Sequence, residues 1–113
     1  MNRRELGGRY EREAAALLRE RGYEILALNY RCPYGEIDVI ARDRGVLVFI
    51  EVKYRSGTRL GGALEAVGPR KQEHLRSAAL CYFQEKGLPM DTPCRFDVAG
   101  QEAGQWVLVK DAF

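Results

Sequence analysis

Asp38, Glu51 and Lys53 are the residues whose types and spacing point most directly to chemistry. Glu51 and Lys53 lie two residues apart, so on an extended strand both point to the same side, roughly 6.6 Å from one another. They close an almost wholly apolar run, Val46 to Tyr54. A carboxylate and an ammonium at the end of a buried strand lose hydration and need compensation. Asp38 sits on the preceding segment, and a hairpin would bring it to the neighbouring strand. Two carboxylates on adjacent strands repel unless a cation stands between them. Hard divalent cations seek such oxygen clusters, and Mg²⁺ binds through one or two carboxylates with waters and substrate phosphate. A lysine beside it orients or deprotonates an attacking water, or neutralises charge developing on a phosphate. The set therefore points to metal-dependent phosphodiester hydrolysis. Set against this, an isolated Glu-x-Lys is a very common pattern. Its ordinary reading is a structural ion pair at a strand end, with Asp38 solvated.

The elements that must position these side chains follow from local pattern. Gly35 to Arg55 reads as two strands around a tight turn at Asp43-Arg44-Gly45, where Gly45 supplies the left-handed conformation a hairpin needs. The first strand alternates, with Glu36, Asp38 and Ile40 on one face and Ile37, Val39 and Ala41 on the other. The second is apolar almost throughout, which predicts a central strand covered on both faces. Before the hairpin, residues 5 to 21 predict a helix with a stripe of Tyr10, Ala14, Leu17, Leu18 and Arg21, capped at Gly22. Tyr23 to Tyr30 predicts a strand, and Cys32 to Gly35 a loop punctuated by Pro33 and Gly35.

After the hairpin, Tyr54 to Gly62 predicts a flexible loop. Ala63 to Lys86 predicts a helical region with its main segment starting near Pro69, a favoured first helical residue, and an apolar face of Leu75, Ala78, Ala79, Tyr82 and Phe83. Leu88 to Pro93 reads as a loop. Cys94 to Ala99 and Gln105 to Lys110 predict strands around a turn at Gly100 to Gly104. The order is α-β-β-β-α-β-β, a single α/β domain over residues 1–113 with a mixed central sheet flanked by helices.

Asp38…Glu51-Val52-Lys53 resembles the PD-(D/E)xK motif of restriction-endonuclease-like nucleases, with Ile37 in place of the proline. Gly35-Glu-Ile-Asp-Val-Ile-Ala41 followed by Leu47 to Arg55 resembles, more closely, the bacterial YraN-like family, an uncharacterised endonuclease-like family related to archaeal Holliday-junction resolvases. Further matches span the chain: Gly7, Glu11, Ala14, Leu18 and Gly22, then Asn29-Tyr30-Arg31, Lys71, Arg95 to Val98, and Ala112-Phe113. The resemblance implies a restriction-endonuclease-like core and a site on the hairpin strands. It implies Mg²⁺ or Mn²⁺ held by Asp38, Glu51, the backbone carbonyl of Val52 and Glu11, with Lys53 positioning the water. The ordinary alternative for Glu11 is a surface salt bridge to Arg4 or Arg12.

Nucleic-acid contacts are expected around this cluster. Arg55 and Arg59 lie on the loop directly after Lys53, and loops attached to a rigid site commonly carry substrate contacts; a Ser/Gly-rich mobile loop without function is the equal alternative. Lys71 falls a turn before Leu75, near the buried side of its helix. Arg31 and Tyr34 precede the acidic strand, the one suited to phosphate and the other to stacking on an exposed base. Tyr34 also fits an ordinary role as a loop aromatic packed on the core edge.

Net charge is only +2, carried as +3 on residues 1–60 and −1 on the remainder. That argues against a nonspecific coat on DNA and allows a local basic patch around an acidic site. Cys32, Cys81 and Cys94 lack C-x-x-C spacing and suggest neither a disulfide framework nor a zinc site. His74 is the single histidine and reads as a surface or boundary residue. No apolar run approaches the roughly 20 residues of a membrane helix. The charged N-terminus has no apolar signal core, so the expected location is cytoplasmic.

Two further functions compete with a DNA nuclease: a nucleic-acid-binding module of the same fold that does not cut, and a structural or interaction protein. Paired carboxylates favour the nuclease, since binding alone has no need of charges that repel phosphate. Paired cuts on branched DNA need two sites. That expectation, with an apolar tail from Trp106 to Phe113 that a small core would not bury alone, points to a homodimer.

Overall fold

A computed structural model describes residues 3–55, 67–102 and 104–113. The chain forms α1 (Arg3–Glu20), β1 (Glu24–Cys32), β2 (Gly35–Asp43), β3 (Val46–Arg55), α2 (Pro69–Lys86), β4 (Cys94–Glu102) and β5 (Gln105–Val109). This is the expected α-β-β-β-α-β-β order. The strands make one five-stranded sheet in the order β1-β2-β3-β4-β5. All neighbours pair antiparallel except β3 and β4, which run parallel. The sheet is therefore mixed, and the fold is that expected of the restriction-endonuclease-like core.

β3 is central, and Leu47 to Val52 are buried without a break. Its two faces support separate apolar clusters. Leu47 and Phe49 pack with Leu75, Ala78, Tyr82 and Phe83 of α2. Val48, Ile50 and Val52 pack with Ala14 and Leu18 of α1. The β2–β3 turn has Arg44 at φ 51° and Gly45 at φ 83°. Positive φ at both central residues is the primed turn whose twist matches that of the flanking strands.

Several expectations need correction. The strict alternation along β2 fails at Asp38. Ile37 joins Ile40 in the cluster under α2, whereas Val39 and Ala41 join the cluster under α1. A regular pleat would keep Ile37 and Val39 on one face. The β1 partners Leu28↔Val39 and Tyr30↔Ile37 keep one register, but Asn29 between them turns left-handed, with φ 54°. The sheet is thus locally broken where Asp38 stands.

Among the α1 residues whose side chains are described, the buried ones are Ala14, Ala15 and Leu18; Arg21 follows the helix end and is exposed. The predicted loop at residues 32–35 shrinks to Pro33-Tyr34, because Cys32 pairs with Gly35. β4 runs on to Glu102, since Gly100 pairs with Val107 and the turn moves toward Gly104. The apolar tail from Trp106 to Phe113 packs on the chain but is at most half-buried, as expected of a small core. Phe113 stacks on Phe96 with ring centroids 5.0 Å apart, and the Ala112 N–H donates to the Phe96 carbonyl at 2.7 Å. Trp106 meets the Tyr10 ring edge-on. Val107 remains exposed. No helix among the described residues is long and apolar enough to cross a membrane.

Candidate active site

Asp38, Glu51, Lys53, Lys71 and Glu11 are drawn from four elements to the break in the sheet. The β2–β3 ladder pairs Val39 with Ile50. Beyond that pair the Asp38 carboxylate reaches across, and its Oδ2 accepts the Val52 N–H at 2.8 Å. Glu51 has the strand parity of Leu47 and Phe49, so it points to the α2 side. Its Oε1 lies 3.6 Å from Lys53 Nζ and 3.5 Å from Lys71 Nζ. The Glu51 side chain is only 6% exposed. Its Oε2 is buried and has no hydrogen-bond partner.

The electrostatics follow from this burial. Desolvation, and then the charge of Glu51, push the Asp38 carboxyl up to about 7, against the pull of the Val52 N–H and Lys71. Desolvation also raises Glu51, opposed by Lys71 and Lys53. Glu11, on α1, is raised by its own burial and then by the charge of Asp38, while a hydrogen bond from Asn29 holds it down. The carboxylates are thus near enough for Asp38 to respond to Glu51 and for Glu11 to respond to Asp38. Among the described residues, no three His, Cys, Asp or Glu side chains converge into a ready-made metal group. The donor set nevertheless fits a Mg²⁺-like ion that keeps several waters. It offers hard oxygen ligands, a buried carboxylate oxygen without a partner, and lysines spaced to balance the remaining charge.

The remaining candidates are more dispersed. Arg31 pairs with Glu36 across the β1–β2 hairpin at 3.4 Å, with both side chains largely exposed. Tyr34 is 66% exposed on the turn. Of Arg55 only the backbone position at the end of β3 is described. Arg59 and the start of the helical region at Ala63 lie outside the described residues. His74 is exposed.

Sequence reasoning gave no role to Asn29, which sits at the break and whose side chain pulls the Glu11 carboxyl down. Its signal was available, because Asn inside a strand-like run is the residue type that most readily accepts positive φ after glycine. A second polar cluster also went unassigned. Asp97 is fully buried, and its carboxylate accepts from Tyr23 Oη at 2.9 Å, Arg95 Nε at 2.9 Å and the Asp111 N–H at 3.0 Å. Arg95 Nη2 donates in addition to Asp43 Oδ2 at 2.8 Å. Every carboxylate oxygen of Asp97 is satisfied there, which makes this cluster a structural clasp between β4, the β2–β3 turn and the C-terminal turn.

Fold and site together define an α/β domain of restriction-endonuclease-like architecture with an acidic pair and lysines at a broken strand edge. The chain belongs to the uncharacterised protein family UPF0102, whose model matches residues 10–100. It is 47% identical over 113 residues to a UPF0102 protein of Lachnoclostridium phytofermentans, covering 100% of this chain and 96% of that one. It is 42% identical over 114 residues to one of Nitrosococcus oceani, covering 97% and 92%. A UPF0102 protein of Shewanella baltica is 44% identical over 108 residues, covering 96% and 98%.

Proposed function

We propose that this protein is a divalent-metal-dependent nuclease that hydrolyses phosphodiester bonds in DNA, acting on branched or repair intermediates. The observation that carries this reading is the partnerless, buried Oε2 of Glu51 beside an Asp38 carboxyl pushed up to about 7. Two such groups are unfavourable together unless a cation joins them. Asp38, Glu51 and the Val52 carbonyl would hold Mg²⁺ or Mn²⁺, with Glu11 completing the shell through water. Bound there, the ion would supply Lewis acidity at the phosphate and lower the pKa of a coordinated water.

The chain's own groups do the rest. Lys53 orients the attacking water and balances charge developing on the phosphate. Lys71, on the other side of Glu51, binds a phosphate oxygen. Arg31, Arg55 and Arg59 contact neighbouring phosphates.

The ion pairs of Glu51 with Lys53 and Lys71 favour one second reading, a module that binds nucleic acid without cutting, because they compensate the carboxylate without metal. A cleavage assay separates the two. Duplex, flap and four-way substrates are incubated with Mg²⁺, Mn²⁺ or chelator. The nuclease reading expects metal-dependent products that vanish in Asp38→Asn and Lys53→Ala. Intact substrate in every lane rejects it.

A resolvase-like paired cut further calls for a twofold homodimer, and the half-buried tail with Val107 exposed supports that reading. Light scattering at micromolar concentration, free and with branched DNA, reports the mass; a monomer in both removes the paired cut.

A further inference from the structure

The β1–β2 hairpin lies close against α2 at two points. A Cβ built on Gly35 would lie 3.2 Å from the His74 carbonyl oxygen, tighter than side chains ordinarily pack, and the φ of 156° there also favours glycine. Further along the helix, Cys81 lies near enough to Cys32 for that thiol to raise its pKa. Lys71, His74 and Cys81 therefore lie along one side of α2, touching in turn Glu51, the hairpin turn and the end of β1. Lys71 and Cys81 are about 15 Å apart on the helix axis. At the far end of this side is an open groove of about 260 Å³ lined by Tyr34, Ser77, Leu80, Cys81 and Gln84. Tyr34 and Leu80 are among the most exposed large apolar side chains of the described residues.

We infer that this groove is a subsite for one unpaired nucleobase, stacked on Tyr34 and flanked by Leu80. The inference rests on the nucleic-acid reading above and narrows its substrate class to a strand with an unpaired nucleotide near the bond to be cut. The groove is smaller than the roughly 300–1,000 Å³ of ordinary enclosed ligand sites, and it suits a flat ring entering from one side. Its lining carries no charge, while the Ser77 hydroxyl and Gln84 amide offer hydrogen bonds to a base edge. The cationic groups lie toward the site, at Lys71 and Lys53, while the exposed Glu73 stands a turn before Ser77 on the groove's side of α2 and turns phosphate aside there, leaving the groove to an uncharged ring. A strand with a phosphate at Lys71 that continues about 15 Å along α2 brings a base to Tyr34 within a few nucleotides. A base within a duplex has both faces covered and offers none to the tyrosine.

The test is binding without metal, by anisotropy of labelled oligothymidylate, flap and duplex DNA in chelator at fixed low salt. The parent is expected to hold single strand and flap more tightly than duplex. Tyr34→Ala should weaken single-strand binding about five- to a hundredfold, leave duplex binding unchanged, and be rescued by Tyr34→Trp. A single abasic position stepped along the oligonucleotide should reproduce the loss at one register with the protein untouched.

Unchanged single-strand affinity in Tyr34→Ala, an equal loss on duplex, or uniform tolerance of the abasic position overturns the inference. So does dissociation of a dimer by Tyr34→Ala in light scattering, which would make the groove a protein contact. Because no metal is present, a protein that binds in this way but never cleaves rejects the nuclease reading and leaves the subsite standing.

Discussion

Asp38 Oδ2 accepts the main-chain N–H of Val52 at 2.8 Å, so a side chain of β2 serves β3 where a carbonyl would ordinarily continue the ladder. Two demands then act on one carboxyl. The amide donor favours the charged form, while burial and Glu51 favour the neutral one. The outcome is a carboxyl displaced from 3.8 to about 7, and the balance can be shifted from outside.

A group with a raised folded pKa contributes stability that is fully present below its unfolded value and is lost as pH rises through the folded one. For Asp38 that window runs from 3.8 to about 7. The metal-free parent should lose about 2 kcal/mol across it on this account, roughly half of what the bare shift implies, since Glu51 shares the titration. Asp38→Asn keeps an acceptor for Val52 and removes the charge. Urea denaturation should show the variant as stable as the parent or more so at pH 8, with the difference shrinking toward pH 5. A variant clearly weaker at pH 8 contradicts the assignment.

Metal should reverse that loss. At a hundred times Kd a ligand bound by the folded state alone adds about 2.7 kcal/mol. Millimolar Mg²⁺ or Mn²⁺ should therefore raise the parent's Tm at pH 8. The rise should be smaller at pH 5.5, where the ion must displace the Asp38 proton. Asp38→Asn and Glu51→Gln should each lose it. A flat thermal profile for the parent in both metals counts against the site.

Lys53 and Lys71 share one carboxylate oxygen, so their removal should not be additive. Either alanine variant leaves Glu51 with one partner and should cost about 1 kcal/mol or less, as both lysines are partly solvated. The double variant strands a buried carboxylate and should cost about 3 kcal/mol at pH 8. The penalty should fall in acid as Glu51 takes up a proton. Simple additivity in a double-mutant cycle would show that the two pairs are independent surface contacts.

The Arg95 clasp should be the more sensitive structural element. Arg95→Met leaves Asp97 buried with the Tyr23 and Asp111 donors only, and should cost about 3–5 kcal/mol. Tyr23→Phe, which removes one donor to Asp97, should cost about 1–2 kcal/mol. The Arg95 guanidinium also holds the Asp43 carboxyl below its usual range. That contribution is present above the ordinary carboxylate pKa and is lost as pH falls through the lowered value. Acid titration of the fold should show the parent resisting to lower pH than Arg95→Met.

Local pattern was enough for the turn at Arg44-Gly45, the start of α2 at Pro69, and the shared side of Glu51 and Lys53, because each depends on residues within a few positions. The break at Asp38 was not legible in that way. It depends on the conformation of Asn29 in another strand, and period-two counting along β2 has no access to it. The clasp joins Tyr23 to Asp97 across 74 residues, and neither residue carries a local sign of the other. The tail was legible only in part for a similar reason. Its apolar content is visible in sequence, but the Phe96 ring that receives Phe113 is brought there only by the fold.

The parallel pairing of β3 with β4 also governs the order in which the molecule can assemble. β1, β2 and β3 are joined by short turns and pair as sequence neighbours, so that meander closes with little loss of chain entropy. β4 can reach β3 in parallel only after the chain has crossed over through α2. Glu51 is thus laid down on the fast-forming part, and Lys71 arrives with the slow one. In a refolding chain the acidic pair precedes one of its two cations, so the interval before α2 docks is when an external cation would have the freest access to Glu51.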